Sequence, residues 1–132
     1  MRQRISWSLP LAITAIVTCL ACLTIALAAA APNPDCGTIV TAANQLEVAY
    51  NQVQPYGYTP FGIENQIQTA AMPLMSLASP AAFDMRNWAF RLASELGKND
   101  AQDPDEQRSG TWISGTLSGA RQSLQAARAA CA

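Results

Sequence analysis

The sequence predicts an all-α protein: a small up-down four-helix bundle behind an N-terminal signal peptide, closed by a disulfide between Cys36 and Cys131. Three observations predict it. Apolar residues recur every three or four positions in four separate stretches of the chain after residue 37. Cap-and-proline signals and Pro/Gly breakers separate those stretches, and nothing alternates with the period of two that a strand requires. Two cysteines flank the whole set.

The first thirty-one residues stand apart. Arg2 and Arg4 lead, an apolar run follows from Leu9 to Leu27, and the segment closes on Ala28-Ala29-Ala30-Ala31. Positive end, apolar middle and small residues at the cut make a secretory leader over residues 1-31, with the bundle domain over residues 32-132. The same run, uncharged from residue 9 to residue 31, is long enough to span a bilayer as an uncleaved anchor. Pro10 and the Ala28-x-Ala30 cut signal favour cleavage. Either way the arginines stay inside and the rest is exported across the cytoplasmic membrane, so the expected location is secreted or cell envelope. Cys19 and Cys22 lie inside the apolar run, where no fold would hold them for redox or metal chemistry. Neither has the Leu three residues before it that a lipid-modified cysteine would show.

Cys36 and Cys131 remain, and an even pair in an exported chain predicts a bond. Between them the first helix spans about Thr38 to Val53 on Ile39, Ala42, Ala43, Leu46, Ala49, Tyr50 and Val53. The second opens with Thr59 as cap and Pro60 in first position, and carries Ile63, Ile67, Ala70, Ala71, Leu74 and Leu77. Pro73 lies inside it and predicts a kink or an early end, because its ring removes a backbone donor. Ser79-Pro80 opens the third helix, with Ala82, Met85, Ala89, Leu92 and Leu96 on its stripe, Phe83, Trp88 and Phe90 widening it, and Gly97 as its stop. Lys98 to Asp103 is a polar linker. Asp103-Pro104-Asp105-Glu106 then reads as a capping box for the fourth helix, whose seam is Ile113, Leu117, Ala120, Leu124, Ala127 and Cys131. An even number of helices brings the start of the first beside the end of the last, which is where the two cysteines need to be.

Composition removes several classes of function. From Pro32 onward six basic side chains face nine acidic ones, so no basic surface is available for nucleic acid. Histidine is absent, which removes the usual general base and the commonest transition-metal ligand. No nucleophile–base pattern is visible, and the expectation is a protein that is not an enzyme and holds no metal. The acids Asp100, Asp103, Asp105 and Glu106 fail the calcium-loop spacing, with Arg108 where the turn glycine belongs.

Three stretches carry the candidate contacts. Pro55-Tyr56-Gly57-Tyr58-Thr59-Pro60-Phe61 sets three rings in seven residues; the rings are expected to cap one end of the bundle, and the alternative is a recognition lip. Gly115-x-x-x-Gly119 permits close helix packing, within the bundle or against a partner. Trp88, Trp112, Phe83, Phe90, Met72, Met75 and Met85 read as core, or as the lining of an apolar ligand cavity. The candidate partner or ligand contacts are therefore Tyr56, Tyr58, Phe61, Trp88 and Trp112.

A leader, Cys36 at the start of the mature chain, Ala-rich helices and Cys131 at its end resemble small exported helical proteins of mycobacteria and their relatives, among them the haemophore-like branch. The resemblance is one of layout, carried residue by residue only by the two cysteines. It implies export and a helical fold. Haem capture in that branch is associated with Tyr and His; here only Tyr50, Tyr56 and Tyr58 offer oxygen ligands. The expected function is binding of a partner protein or the cell envelope without catalysis, and the alternative is carriage of an apolar ligand such as haem or lipid, held among Met72, Met75, Trp88 and Phe90.

Overall fold

Four α-helices and one short 3-10 turn make up the computed structural model, which describes residues 33–100 and 107–132; no strand occurs among them. The leader, with Cys19 and Cys22, and the Asp103–Glu106 cap lie outside the described residues. Helix α1 is Cys36–Tyr50, α2 Ile63–Ala71, α3 Pro80–Asp100 and α4 Gly110–Ala130. Among the described residues no helix is long and apolar enough to cross a membrane.

The stripes read from the sequence are the buried faces. Ile39, Leu46 and Tyr50 of α1 meet Ile63 and Ile67 of α2, Met85 and Leu92 of α3, and Ile113 of α4 in one core. Each such side chain contributes roughly 1.5–3 kcal/mol by leaving water. Alanines fill the gaps between them: Ala42, Ala43, Ala71, Ala82, Ala89 and Ala120 are buried too. Small side chains at these positions let the helices approach closely. Each helix packs against the next in sequence, and α1 against α4.

Pro73 acts as the sequence predicts. The α-helix ends at Ala71 and the chain tightens into a 3-10 turn over Met72–Ser76, which still buries Leu74. Ser79 caps α3, its hydroxyl accepting from the Ala82 amide at 3.4 Å. Helix α1 starts two residues before the expected Thr38 and ends three before the expected Val53, and three further boundaries differ, each for a local reason. The Thr59 hydroxyl accepts from the Gln54 amide at 2.9 Å, so it closes the preceding loop instead of capping a helix. The chain turns into α2 three residues later, at Gly62, whose φ of 88° is a left-handed conformation that costs a side-chain-bearing residue about 1–2 kcal/mol. Gly97 does not stop α3, which continues to Asp100. Helix α4 begins at Gly110, after non-helical residues 107–109, and Ser109 is its cap: the hydroxyl accepts from the Trp112 amide at 3.2 Å. Phe83, expected to widen the buried face of α3, is half exposed beneath the Arg86 guanidinium.

Cys36 and Cys131 are bonded, with their Cα atoms 5.4 Å apart. Two arginines of α4 strengthen the same seam. Arg128 donates to Asn44 at 2.7 Å and to the Glu47 carboxylate at 2.6 Å. Its hydrogen bond and charge hold the Glu47 carboxyl below the usual range. Arg121 donates to the Tyr50 carbonyl at the end of α1, where the helix dipole is negative.

Candidate functional site

Loop 51–62 joins α1 to α2 and carries the aromatic triplet. Contrary to the expectation from the sequence, the rings do not cover the ends of the helices. Tyr56, Tyr58 and Phe61 are 76%, 79% and 80% exposed, the three most exposed large apolar side chains described. Their backbone is nevertheless held. The Gly57 amide donates to the Gln54 carbonyl, and Thr59 bonds Gln54 from the other side of the turn. Behind the loop, Gly110 of α4 comes so close that a Cβ there would lie 2.5 Å from the Pro55 carbonyl oxygen and from the Tyr56 ring. No residue between Gln54 and Ile63 carries a charge. Two amphipathic tyrosine rings and one apolar phenylalanine ring on an uncharged, braced loop supply contact area at low entropy cost.

A small cleft of about 210 Å³ lies behind this lip, lined by Tyr58, Glu64, Leu96, Asn99 and Ile113 among others. Asn99 shapes it. Its side-chain amide donates to the Arg108 carbonyl at 3.2 Å, while its carbonyl oxygen accepts from the Arg108 amide. This two-bond clamp ties the end of α3 to the entry of α4.

Trp88 and Trp112 lie on the neighbouring face, between α3 and α4. They line one open groove of about 370 Å³ together with Arg91, Ser109, Thr111, Gly115 and Thr116. Neither indole belongs to the central core: Trp112 is 48% exposed, and Trp88 is partly buried against it. Glu95 is the organising residue, and it is only 7% exposed. Its Oε1 accepts from Trp112 Nε1 at 2.8 Å and from Arg91 Nε at 3.3 Å. The Arg91 guanidinium stacks 5.4 Å from the centre of the Trp88 ring, and Arg108 stacks 5.3 Å from that of Trp112. Each indole of the groove thus has a guanidinium group over its ring, Arg91 from within the groove lining and Arg108 from beside it. From the sequence Glu95 looked like one of several scattered acids, because its indole partner arrives from another helix, 17 residues away.

The two glycines of Gly115-x-x-x-Gly119 do different work. A Cβ at Gly119 would meet the far edge of the Trp88 ring at 2.5 Å, so that glycine seats the indole of α3 against α4. Gly115 faces open space in the groove. Gly115→Ala is therefore expected to stabilise by up to about 1 kcal/mol through helix propensity alone. Gly110→Ala is expected to destabilise by about 1–2 kcal/mol, because the obstructing atom is a backbone oxygen and must move. Urea unfolding of both variants checks the pair, and equal effects would contradict it.

The remaining residues are dispersed. Met72 and Met75 are exposed on the 3-10 turn, and Phe90 packs against the core, so these two elements do not enclose a common cavity with Trp88. An apolar cleft of about 520 Å³ lies elsewhere, between α1 and α2, lined by Val48, Ala49, Ala70 and polar neighbours. Tyr50 is fully buried, and burial pushes its phenol well above the usual tyrosine range, which disfavours it as an anionic oxygen ligand. Among the described residues no group of three or more His, Cys, Asp or Glu could hold a metal ion. No family model, curated protein or solved structure matches the chain.

Proposed function

We propose that this is an exported, non-enzymatic helical protein that binds a partner protein or the cell envelope through its aromatic lip. The observation that carries the reading is the exposure of Tyr56, Tyr58 and Phe61 on a loop braced by hydrogen bonds and by Gly110. Large exposed apolar groups concentrated at one place mark interaction surfaces. Export by a cleaved leader accords with the Cys36–Cys131 bond, since disulfides persist in oxidising compartments. An up-down bundle accords with the ring of contacts in which α1 meets α4. The layout likeness to small exported mycobacterial proteins belongs to the same proposal.

The test is a Tyr56→Ala/Tyr58→Ala variant, compared with the parent for co-sedimentation with envelope material of the source cells and for capture of exported proteins. The variant is expected to keep its melting temperature within a few degrees, because exposed side chains contribute little to stability. It is expected to lose most of its capture. Undiminished capture would remove the lip from the interaction. The apolar cleft between α1 and α2 favours a second reading, a carrier of an apolar ligand such as haem or lipid. Mass spectrometry of the native protein distinguishes the two: a ligand that co-purifies repeatedly supports the carrier.

A further inference from the structure

We propose that the groove between α3 and α4 is a second binding site, for an acidic saccharide. The inference does not rest on the aromatic lip. The groove contains no Leu, Ile, Val or Phe; its large apolar side chains are two indoles, and its lining also carries hydroxyl groups and the Arg91 guanidinium. A lipid chain needs an aliphatic channel, and a peptide needs pockets for its side chains. A sugar ring instead presents C–H faces flanked by hydroxyls. It suits an aromatic platform edged with hydrogen-bonding groups such as the exposed Thr111 hydroxyl.

Charge selects an acidic sugar. Arg91 and Arg108 each lie over an indole, which leaves the guanidinium edge to meet a carboxylate in the fork geometry that arginine provides. Glu95, the acid that touches Arg91 and Trp112, is buried and directs its Oε1 at both, so it is not itself a surface group that an incoming anion meets. The platform is also set before any ligand arrives. Glu95 holds the Trp112 indole, and Gly119 seats Trp88. Little side-chain freedom is then lost on binding.

The experiment titrates the purified, disulfide-bonded protein with trigalacturonate, following tryptophan fluorescence and heat. Maltotriose serves as the neutral sugar and a glutamate-rich peptide as the acidic non-sugar. Trigalacturonate is expected to saturate the signal. Arg91→Gln and Arg108→Gln are each expected to weaken it at least about tenfold, since each removes a charge-assisted hydrogen bond. Glu47→Gln, remote on α1, is expected to bind as the parent does. Circular dichroism confirms that each variant is folded, and Arg108→Gln leaves the Glu95 contacts intact. The proposal is overturned if trigalacturonate fails to saturate, if maltotriose binds equally well, if the peptide binds more tightly, or if neither arginine change alters affinity.

Discussion

Breaking the Cys36–Cys131 bond, by reduction or by Cys36→Ser with Cys131→Ser, is expected to lower stability by about 4.7 kcal/mol. The bond joins residues 95 apart, and cross-linking a loop of that size restricts the unfolded chain far more than the folded one. Small domains are stable by only about 5–15 kcal/mol, so the loss is a third or more of the total. Each kcal/mol moves the melting temperature of a domain this size by about 4–8 °C, which predicts a fall of roughly 20–35 °C on reduction. Calorimetry with and without reductant measures it. The remaining links between α1 and α4, Arg128 to Asn44 and Glu47 and Arg121 to Tyr50, lie largely at the surface and cannot replace the bond. A fall of less than about 5 °C would mean that the reduced, unfolded chain is already restricted by residual structure.

That bond was legible in the sequence because an expected exported compartment and an even pair of cysteines predict it, and neither depends on detailed packing. The stripes were legible for a similar reason. Ile39, Leu46, Ile67, Leu92, Ile113 and Leu124 recur at helical spacing whatever their partners, and all are buried. Boundaries were less so, because each depended on which of two nearby groups won a hydrogen bond. Thr59 looks like a cap until Gln54 is seen five residues back, its amide already pointed at the hydroxyl. Gly97 looks like a stop, yet the Asn99 clamp on Arg108 lies beyond it and draws α3 onward to Asp100. Ser109 looked ordinary beside an acidic capping pattern, although it is the residue whose hydroxyl caps α4.

The site divides along the same line. Tyr56, Tyr58 and Phe61 were legible as a group because they are adjacent in the chain. Whether they covered the bundle end or faced solvent depended on Gly110, some fifty residues away, which braces the loop from behind with the rings turned outward. Trp88 and Trp112 read as core, since large aromatic residues at helical spacing usually are. What holds Trp112 at the groove is Glu95, a charged residue on the buried side of α3, and what seats Trp88 is the absent side chain of Gly119; no local pattern marks either. Helix periodicity shows which face a residue occupies but not which residue of another helix lies opposite.

Glu95 also makes the Trp112 contact sharply asymmetric. Trp112→Phe is expected to cost about 2–3 kcal/mol although the aromatic bulk is retained, because it takes the indole donor from a buried carboxyl. That carboxyl has little reserve. Its other oxygen, Oε2, is buried without a partner, and Arg91 is half exposed, so its 3.3 Å contact is weakened by solvent. The reverse truncation leaves less behind. Glu95→Leu removes the acid together with its unpartnered oxygen and fills the space with an apolar side chain. The indole N–H of Trp112 can then reach water, since that residue is half exposed. Glu95→Leu is therefore expected to stay within about 1 kcal/mol of the parent, because replacing a buried polar group by an apolar one of similar size is often nearly neutral. In the Glu95→Leu background, Trp112→Phe should lose most of its effect, giving a coupling energy of about 2 kcal/mol in a double-mutant cycle followed by urea unfolding. Additivity within about 0.5 kcal/mol would show that the 2.8 Å bond contributes little. It would also show that stacking and packing, not Glu95, hold the Trp112 indole in the groove.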